Sequence, residues 1–294
     1  MTPNGLNVYD KWCSVNQRLC GGTSVLQRRF VNRGRNRRRV LPITWLSSFG
    51  TQEIFALASY CLHIFGYCGP DLEKVLHSYE EDGILEIIPW PIHHFLEPSK
   101  GWKYELHSGE VHYYGQQATI NDCIHRNRQR SKYVILTDAD EIIIPYQHSS
   151  LHQLMAELQQ NNPYAVAFIF WAYSFSKEIT RGSERFNFPQ WRHVPGVNIL
   201  RHIYKEPLKW WTKNRSKMIV DPRKVMQASV HTVYKINGKS TWVPSDLAIV
   251  MHTTEPKRPD LGIEKLIMDN KIWEYAERLI PNVNKVLHKS GILK

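Results

Sequence analysis

The sequence predicts an α/β fold in which a mostly parallel sheet is flanked by helices. Between residues 70 and 171, helical and strand patterns alternate, and two of the strands are near-continuous apolar runs. Such runs are typical of parallel strands, because these are buried on both faces. The 294 residues provide enough material for one large domain or two small ones.

Each element of this region has a local signal. Apolar positions spaced i, i+3, i+4, i+7 predict a helix over residues 70–83, with Gly83 placed to end it. Ser149 or Ser150 is the expected N-cap of a later helix. The remaining patterns predict, in chain order, a strand at 84–91, a helix at 109–130, a strand at 133–138, a helix at 149–162 and a strand at 164–171.

The pattern changes after residue 171 to a mixed region built around a hairpin. Residues 229–243 predict a β-hairpin with its turn at Asn237-Gly238, and residues 247–252 predict a further strand. A helix is expected from Ile263 to Ile280, followed by a tail over residues 281–294.

The first 69 residues do not share the alternating pattern. Residues 1–39 are expected to be irregular and basic, and they hold seven arginines between Arg28 and Arg39 in a chain of net charge +11. No nucleic-acid-binding motif accompanies these arginines, so a solvated arm or the flank of a membrane anchor is favoured over nucleic-acid binding. Residues 40–69 are apolar enough for an anchor, but a helix over residues 51–65 explains them equally well.

The stretch with the clearest chemistry is the carboxylate cluster that follows the strand at 133–138. Asp138, Asp140 and Glu141 lie close together there. Side chains two apart on an extended backbone point the same way, so both aspartates can address one cation. Carboxylates without thiols suit Mg²⁺ or Mn²⁺, which commonly keep positions for phosphate oxygens. The alternative interpretation is a turn in which the aspartates cap the next element.

Several sequence blocks, taken in order, resemble glycosyltransferase family 92. The central block is HSGEVHYYGQQATINDCIHRNRQRSKYVILTDADEIIIP, and DLEKVLHSYEEDGILEIIPWP precedes it. SKMIVDPRKVMQASVHTVY and IVMHTTEP are similar to the family's closing blocks. A series of blocks in the right order is far more specific than any single motif.

The resemblance implies a GT-A (Rossmann-like) catalytic domain over residues 70–280. It implies transfer of galactose from UDP-galactose with inversion, forming a β-linkage on a glycoprotein N-glycan or another galactose- or fucose-bearing glycan. Mn²⁺ or Mg²⁺ is the implied cofactor, and the Golgi membrane, with the domain in the lumen, is the implied location. In that compartment the sequon at Asn214 would be available for glycosylation. Residues 43–69 fit the family's opening blocks poorly, and its second strand is not recognisable before Pro70.

The resemblance and the residue types together predict the roles of the site residues. Asp138 and Asp140 are expected to bind the metal and the donor diphosphate. His252 is the expected third metal ligand, with His231 as the alternative and an ordinary core histidine as the other interpretation. Further residues of the cofactor site are expected to brace it from the preceding helix: Asn121 and Asp122.

Inversion also requires a base that accepts the proton of the acceptor hydroxyl. Glu178 and Glu184, in a polar loop after a buried strand, are the candidates, although either carboxylate could be an ordinary surface charge. Four tryptophans could stack on sugars or fill the core: Trp171, Trp191, Trp210 and Trp211.

Two other functions remain open from the sequence. One is a metal-dependent phosphohydrolase, which would need further acidic ligands for a second metal. The other is a catalytically inactive GT-A-like protein with a damaged nucleotide pocket.

Asp138→Asn and Asp140→Asn are both expected to abolish transfer, and to stabilise the fold slightly because two like charges no longer repel.

Overall fold

The computed structural model describes residues 69–99, 101, 103, 105–138, 140–208 and 216–294, together with the backbone of two strands at 12–16 and 60–64. Several predictions fall outside these residues. They concern the arginine-rich segment, most of residues 40–69, Trp210, Trp211 and the sequon at Asn214.

Four α-helices occur in the described residues, and two of them confirm the sequence signals closely. The first ends just before Gly83, whose φ of +70° suits a residue without a side chain. The side chain of Ser150 accepts a hydrogen bond from the Gln153 backbone N–H at 3.3 Å, as an N-cap should. The helices are α1 (Pro70–Glu81), α2 (Gln116–Arg126), α3 (Leu151–Asn161) and α4 (Ala276–Lys289).

The strands of the described residues form one large sheet and a separate two-stranded ribbon. They are β1 (Trp12–Asn16), β2 (Tyr60–Ile64), β3 (Leu85–Pro89), β4 (Tyr133–Leu136), β5 (Glu141–Pro145), β6 (Ala165–Ser176), β7 (Tyr204–Lys205), β8 (Ser216–Val220), β9 (Val225–Ala228), β10 (Val233–Ile236), β11 (Lys239–Trp242), β12 (Ala248–Thr254) and β13 (Ile267–Met268).

The large sheet combines parallel and antiparallel pairing. β3, β2, β1 and β4 lie side by side and run parallel. β8 then runs antiparallel between β4 and β6. β12 pairs in parallel with β6 and antiparallel with β5. The α/β class is therefore confirmed, whereas the parallel pairing expected for most of the sheet holds for only part of it. Near-continuous apolar strands are more often parallel, but here the fully buried β8 is antiparallel to both of its neighbours.

Two strands lie upstream of Pro70, where the sequence predicts the catalytic domain to begin. β1 lies inside the segment expected to be irregular. β2 pairs in parallel with both β1 and β3, and it occupies the place of the strand that the sequence did not reveal. The helix expected over residues 51–65 is therefore wrong at 60–64, because periodicity alone does not distinguish a short apolar strand from a helix.

Among the described residues, no helix has both the length and the apolar character that crossing a membrane requires.

The hairpin predicted across Asn237-Gly238 is wrong. β10 pairs with β9 in the separate ribbon, whereas β11 joins β6 in parallel. Gly238 has a φ of +147°, and a Cβ at this position would lie 2.4 Å from Val166 Cγ1. The glycine thus allows the chain to pass close against β6 and change sheets, and it does not turn the chain back on itself.

The helix predicted over residues 263–280 begins later and extends further. Lys271–Tyr275 forms a 3₁₀ turn, and α4 then runs through most of the predicted tail. Pro281 lies inside α4 although a proline usually ends a helix, which is why the sequence pattern did not extend beyond it. Four apolar side chains anchor the helix in the core: Leu279, Val283, Val286 and Leu287.

Buried side chains form two clusters, and alternate residues of β6 contribute to each. Phe168 and Phe170 belong to the larger cluster, whereas Ile169 belongs to the smaller one. Because successive side chains of a strand point to opposite faces, the two clusters cover opposite faces of the sheet. The smaller cluster also contains Ile120 of α2 and Leu136 of β4, and it packs beside the carboxylate cluster.

His202 makes the stability of the fold depend on pH. Its Nδ1 lies 3.2 Å from the carbonyl oxygen of Ser176, and burial lowers the pKa of His202 to about 4. The unfolded chain, with a histidine pKa of about 6.5, therefore binds more protons than the folded chain between these values. The contribution of His202 to the free energy of unfolding is fully present above pH 6.5. It is lost as the pH falls toward 4, by up to about 3 kcal/mol.

We expect His202→Asn to flatten the dependence of Tm on pH between 6.5 and 4, because asparagine does not titrate. Thermal melts across this range, each referred to the same protein at pH 7.5, measure the effect. The exposed His193 provides the control, since His193→Asn should keep the wild-type profile. Identical pH profiles for wild type and His202→Asn would contradict the assignment.

Candidate functional site

The carboxylate cluster lies where β4 ends and β5 begins. The backbone N–H of Asp138 donates to Glu141 Oε2 at 2.9 Å, and the N–H of Glu141 donates to the Asp138 carbonyl at 3.1 Å. Both residues are buried, at 4% and 3% exposure. The alternative interpretation from the sequence was a turn capped by the aspartates. In the structure it is the side chain of Glu141 that closes this turn.

A buried lysine joins two of the carboxylates. Lys217 Nζ lies 3.0 Å from Asp138 Oδ2 and 3.0 Å from Glu141 Oε2, and the lysine side chain is only 2% exposed. Burial acts to lower the pKa of Lys217, but the charges of Asp138 and Glu141 outweigh burial and raise this pKa. The three side chains therefore form a charged triad, which we call the Lys217 triad.

Lys217 was not among the predicted site residues, although β8 carries a signal. A lysine within the apolar run SKMIV must either reach water or find a buried counter-charge. The triad also reverses one expectation from the sequence. Asp138→Asn removes a counter-charge of Lys217, so it should lower the stability of the fold and not raise it.

Asp140 and His252 form the more accessible part of the cluster. His252 Nε2 lies 3.3 Å from Asp140 Oδ2, and its Nδ1 lies 3.5 Å from Glu141 Oε1. The side chains of Asp140 and His252 are 26% and 14% exposed. Burial acts to lower the pKa of His252, but the hydrogen bond with Asp140 and the nearby carboxylates raise it overall. The position of His252 follows from β12, which pairs it with Glu141 of β5.

A divalent cation fits Asp140 and His252 better than it fits Asp138. Adjacent ligands of an octahedral Mg²⁺ or Mn²⁺ ion lie about 3 Å apart, close to the 3.3 Å between Asp140 Oδ2 and His252 Nε2. The Asp138 carboxylate contacts the Lys217 ammonium instead. Over the residues that the structure describes, no group of three or more His, Cys, Asp or Glu side chains is arranged to hold a metal ion.

A small, partly open cleft lies beside Asp138. Gln116, the first residue of α2, donates from Nε2 to Asp138 Oδ1 at 3.4 Å. The N-terminal end of α2 therefore faces the cleft, where the partial positive charge of the helix favours an anionic ligand. The cleft is lined by Gln116, Ile120, Leu136, Thr137, Asp138, Lys217 and Val230.

Asn121 and Asp122, predicted to brace the cofactor site, differ in their surroundings. Asn121 Nδ2 donates to the Ala228 carbonyl at 2.8 Å, and the Ala228 N–H donates to Asn121 Oδ1 at 2.9 Å. Asp122 accepts hydrogen bonds from Arg126 one turn later on α2. Asn121 thus holds the β9 segment next to the cleft. Direct contact of either residue with a cofactor stays a prediction.

His231, the alternative metal ligand, contacts the backbone of Ser216. Its Nδ1 lies 2.7 Å from the Ser216 carbonyl oxygen, and burial together with the charge of Lys217 lowers its pKa. The structure therefore brings His252, and not His231, into contact with Asp140.

The two candidate bases are both exposed on the loop after β6. Glu178 lies two residues beyond Ser176, which pairs with Thr254 of β12, so it lies beside the strand that carries His252. Glu184 Oε1 accepts a hydrogen bond from the Gly182 N–H at 3.0 Å. The role of either carboxylate as a base stays a prediction.

The two tryptophans of the predicted sugar-binding set that the structure describes differ in exposure. Trp191 is a core residue, 4% exposed, and its Nε1 donates to Asn284 Oδ1 at 2.7 Å. Trp171 is half-buried and stacks on Trp242.

Comparison with known proteins agrees with the resemblance in the sequence. The model of the family described as Glycosyltransferase family 92 matches residues 62–287, which include Asp138, Asp140, Lys217 and His252. A relative from Caenorhabditis elegans, glycosyltransferase family 92 protein F13G3.3, is 28% identical over 267 residues, covering 84% of this chain and 49% of the relative. The chain thus spans about half the length of this curated relative. With the family match extending over most of the chain, we conclude that it belongs to glycosyltransferase family 92.

Proposed function

We propose that this chain transfers galactose from UDP-galactose to a glycan, with inversion at the anomeric carbon and with a divalent cation in the site. Membership of a glycosyltransferase family supports the reaction class. The donor sugar rests on the resemblance of the sequence blocks alone. The structural observation that carries the proposal is the Asp140–His252 pair. His252 contacts Glu141 of the Lys217 triad, and Asp138 of the same triad lines the cleft.

Asp140 and His252 would hold Mn²⁺ or Mg²⁺ together with oxygens of the donor diphosphate. When bound, the cation offsets the negative charge that develops on the UDP leaving group. We propose that the nucleoside occupies the cleft beside Asp138. This placement matches α/β proteins in general, whose ligands lie beyond the carboxyl ends of the strands. We also propose that the parallel strands β3, β2, β1 and β4 are arranged as in a GT-A fold.

The Lys217 triad has a different role in this scheme. Its ammonium offsets one of the two negative charges of the buried carboxylates, which weakens their repulsion of the donor diphosphate. The triad also fixes Glu141, which in turn contacts His252 Nδ1 and orients the ring.

Inversion requires a single displacement at the anomeric carbon. The acceptor oxygen forms the new bond, the bond to the UDP oxygen breaks, and the acceptor proton passes to a carboxylate. We propose Glu178 for this role in preference to Glu184, because Glu178 follows the end of β6 that pairs with β12.

We also propose that the domain lies in the Golgi lumen, on the basis of the family resemblance.

Binding of UDP and Mn²⁺ tests the proposal most directly. We expect Tm to rise when UDP and Mn²⁺ are present together, by the equivalent of about 2.7 kcal/mol at a UDP concentration of 100 Kd. UDP with EDTA should give little or no shift. In a transfer assay with a galactose-terminated N-glycan, UDP-galactose should be used in preference to UDP-glucose, and NMR of the product should show a β-linkage.

Three outcomes would contradict the proposal, and each favours a different conclusion. Absence of any UDP-dependent shift would favour an inactive GT-A-like protein. Metal-dependent release of phosphate from p-nitrophenyl phosphate, without sugar transfer, would favour a phosphohydrolase. Equal use of UDP-glucose would contradict the assigned donor while retaining the reaction class.

A further inference from the structure

Two tryptophans form a stacked aromatic pair at the surface. The ring centroids of Trp171 and Trp242 lie 4.1 Å apart, with an angle of 26° between the ring planes, and Trp242 is 44% exposed. A single exposed aromatic residue is common on protein surfaces. Here, however, one indole supports the other, and both are attached to paired strands, β6 and β11. The pair is therefore a fixed aromatic surface and not a mobile side chain.

The register of the sheet places this pair at the level of Asp138. Leu136 of β4, Met218 of β8 and Ile169 of β6 lie in one row across the sheet. Since β8 is antiparallel to both of its neighbours, β4 and β6 run in the same direction. Asp138 and Trp171 each lie two residues beyond this row. Leu136 and Ile169 are therefore separated by about two strand spacings, roughly 10 Å, and Asp138 and Trp171 follow them closely along their chains.

The pair also lies on the same face of the sheet as the cleft. Leu136 lines the cleft and shares a buried cluster with Ile169. Trp171 is two residues beyond Ile169 on the same strand and so points to the same face.

The loop between β9 and β10 connects the cleft with the pair. Val230 lines the cleft, and the next residue, His231, contacts the Ser216 carbonyl. Ser216 lies directly opposite Trp171 in the β6–β8 pairing. The surface of the cleft thus continues from Val230 through His231 to the tryptophan pair.

We propose that Trp171 and Trp242 form an acceptor subsite, where a pyranose ring of the acceptor glycan stacks on the Trp242 indole. This inference rests on the proposed function, since it places an acceptor beside the donor site. One face of a pyranose carries C–H groups, and contact with an indole removes this apolar area from water while the hydroxyls stay hydrated at the ring edge. The separation from Asp138 leaves room for the donor sugar between the cleft and the acceptor.

Direct binding of a glycan tests the subsite without requiring turnover. The probe is a released biantennary N-glycan ending in galactose, titrated calorimetrically with and without UDP and Mn²⁺. We expect Trp242→Ala to weaken glycan binding about tenfold, and Trp242→Phe to lie between this variant and wild type. Affinity for UDP should stay within about twofold of wild type in both variants, because neither tryptophan lines the cleft.

Tyr164 provides the matched control, because it is 76% exposed and lies beside the opposite end of β11. Tyr164→Ala should leave glycan binding unchanged. Sorbitol, a polyol without a ring face, should not bind wild type. The inference would be overturned if wild type does not bind the glycan, if Trp242→Ala binds it as wild type does, or if Tyr164→Ala weakens binding equally. Failure of wild type to bind UDP would instead contradict the proposed function, while glycan binding without UDP still reports on the subsite.

Discussion

Asp140→Asn is expected to lower the rate of sugar transfer by about 100-fold or more while leaving Tm close to that of wild type. The Asp140 side chain is partly exposed and contacts His252, so a neutral amide removes a charged ligand of the proposed cation and leaves the Lys217 triad intact. UDP release in the transfer assay measures the rate, and thermal melts measure Tm. Electron paramagnetic resonance measures Mn²⁺ binding in the presence of UDP.

Asp138→Asn is the matched comparison, because it makes the same chemical change two residues away. We expect its Mn²⁺ affinity to stay within a few-fold of wild type and its Tm to fall, because Lys217 loses one of its two carboxylate partners. The sequence alone predicted the same result for both aspartates. Equal loss of Mn²⁺ binding in the two variants would show that Asp138 is also a ligand and would contradict the division described above.

Lys217→Met is expected to destabilise the fold by about 3–5 kcal/mol. Methionine preserves much of the length of the side chain, but Asp138 and Glu141 are buried and would both lose the ammonium that lies 3.0 Å from each carboxylate. Urea denaturation followed by circular dichroism gives the free energy of unfolding. Lys74→Met is the control, because Lys74 pairs with Asp71 at an exposed site and its loss should cost less than about 1 kcal/mol.

A triple variant separates charge from packing in the Lys217 triad. Asp138→Asn, Glu141→Gln and Lys217→Met together leave no buried charge, and replacing a buried ionic group as a whole is often close to neutral. We therefore expect the triple variant to be more stable than Lys217→Met alone, a non-additive result typical of residues in one network. If the triple variant is no more stable than the single variant, the loss in Lys217→Met comes from packing.

The elements that depend on neighbouring residues were predicted correctly from local signals in the sequence. α1 ends before Gly83, and Ser150 caps α3, because the residues that form a helix end lie within one or two turns of each other. β4 and β12 were predicted from short apolar runs in the same way.

The choice of strand partner depends on distant residues, and the predictions failed there. β10 has the turn residues of a hairpin on its C-terminal side, yet it pairs with β9 on its N-terminal side. Gly238 is required by the close approach to Val166, and a sequence pattern cannot distinguish this requirement from that of a tight turn.

The candidate site was predicted in part for the same reason. Asp138, Asp140 and His252 were recognisable from the strand ends that carry them, and the structure brings Asp140 and His252 together. Lys217 was missed, because a lysine on a strand usually faces water and the apolar run around it does not identify a counter-charge. Its meaning appears only when β8 lies next to β4 and the ammonium meets the two carboxylates.

The paired hydrogen bonds between Asn121 and Ala228 have a consequence for motion near the cleft. Because the amide of Asn121 both accepts from and donates to the backbone of Ala228, α2 and the end of β9 are joined much as two strands are joined. Separating them would break both bonds at once, so the two elements should fluctuate together. A ligand entering between Ile120 and Val230 then meets a wall that is already ordered, and little conformational entropy is lost there on binding.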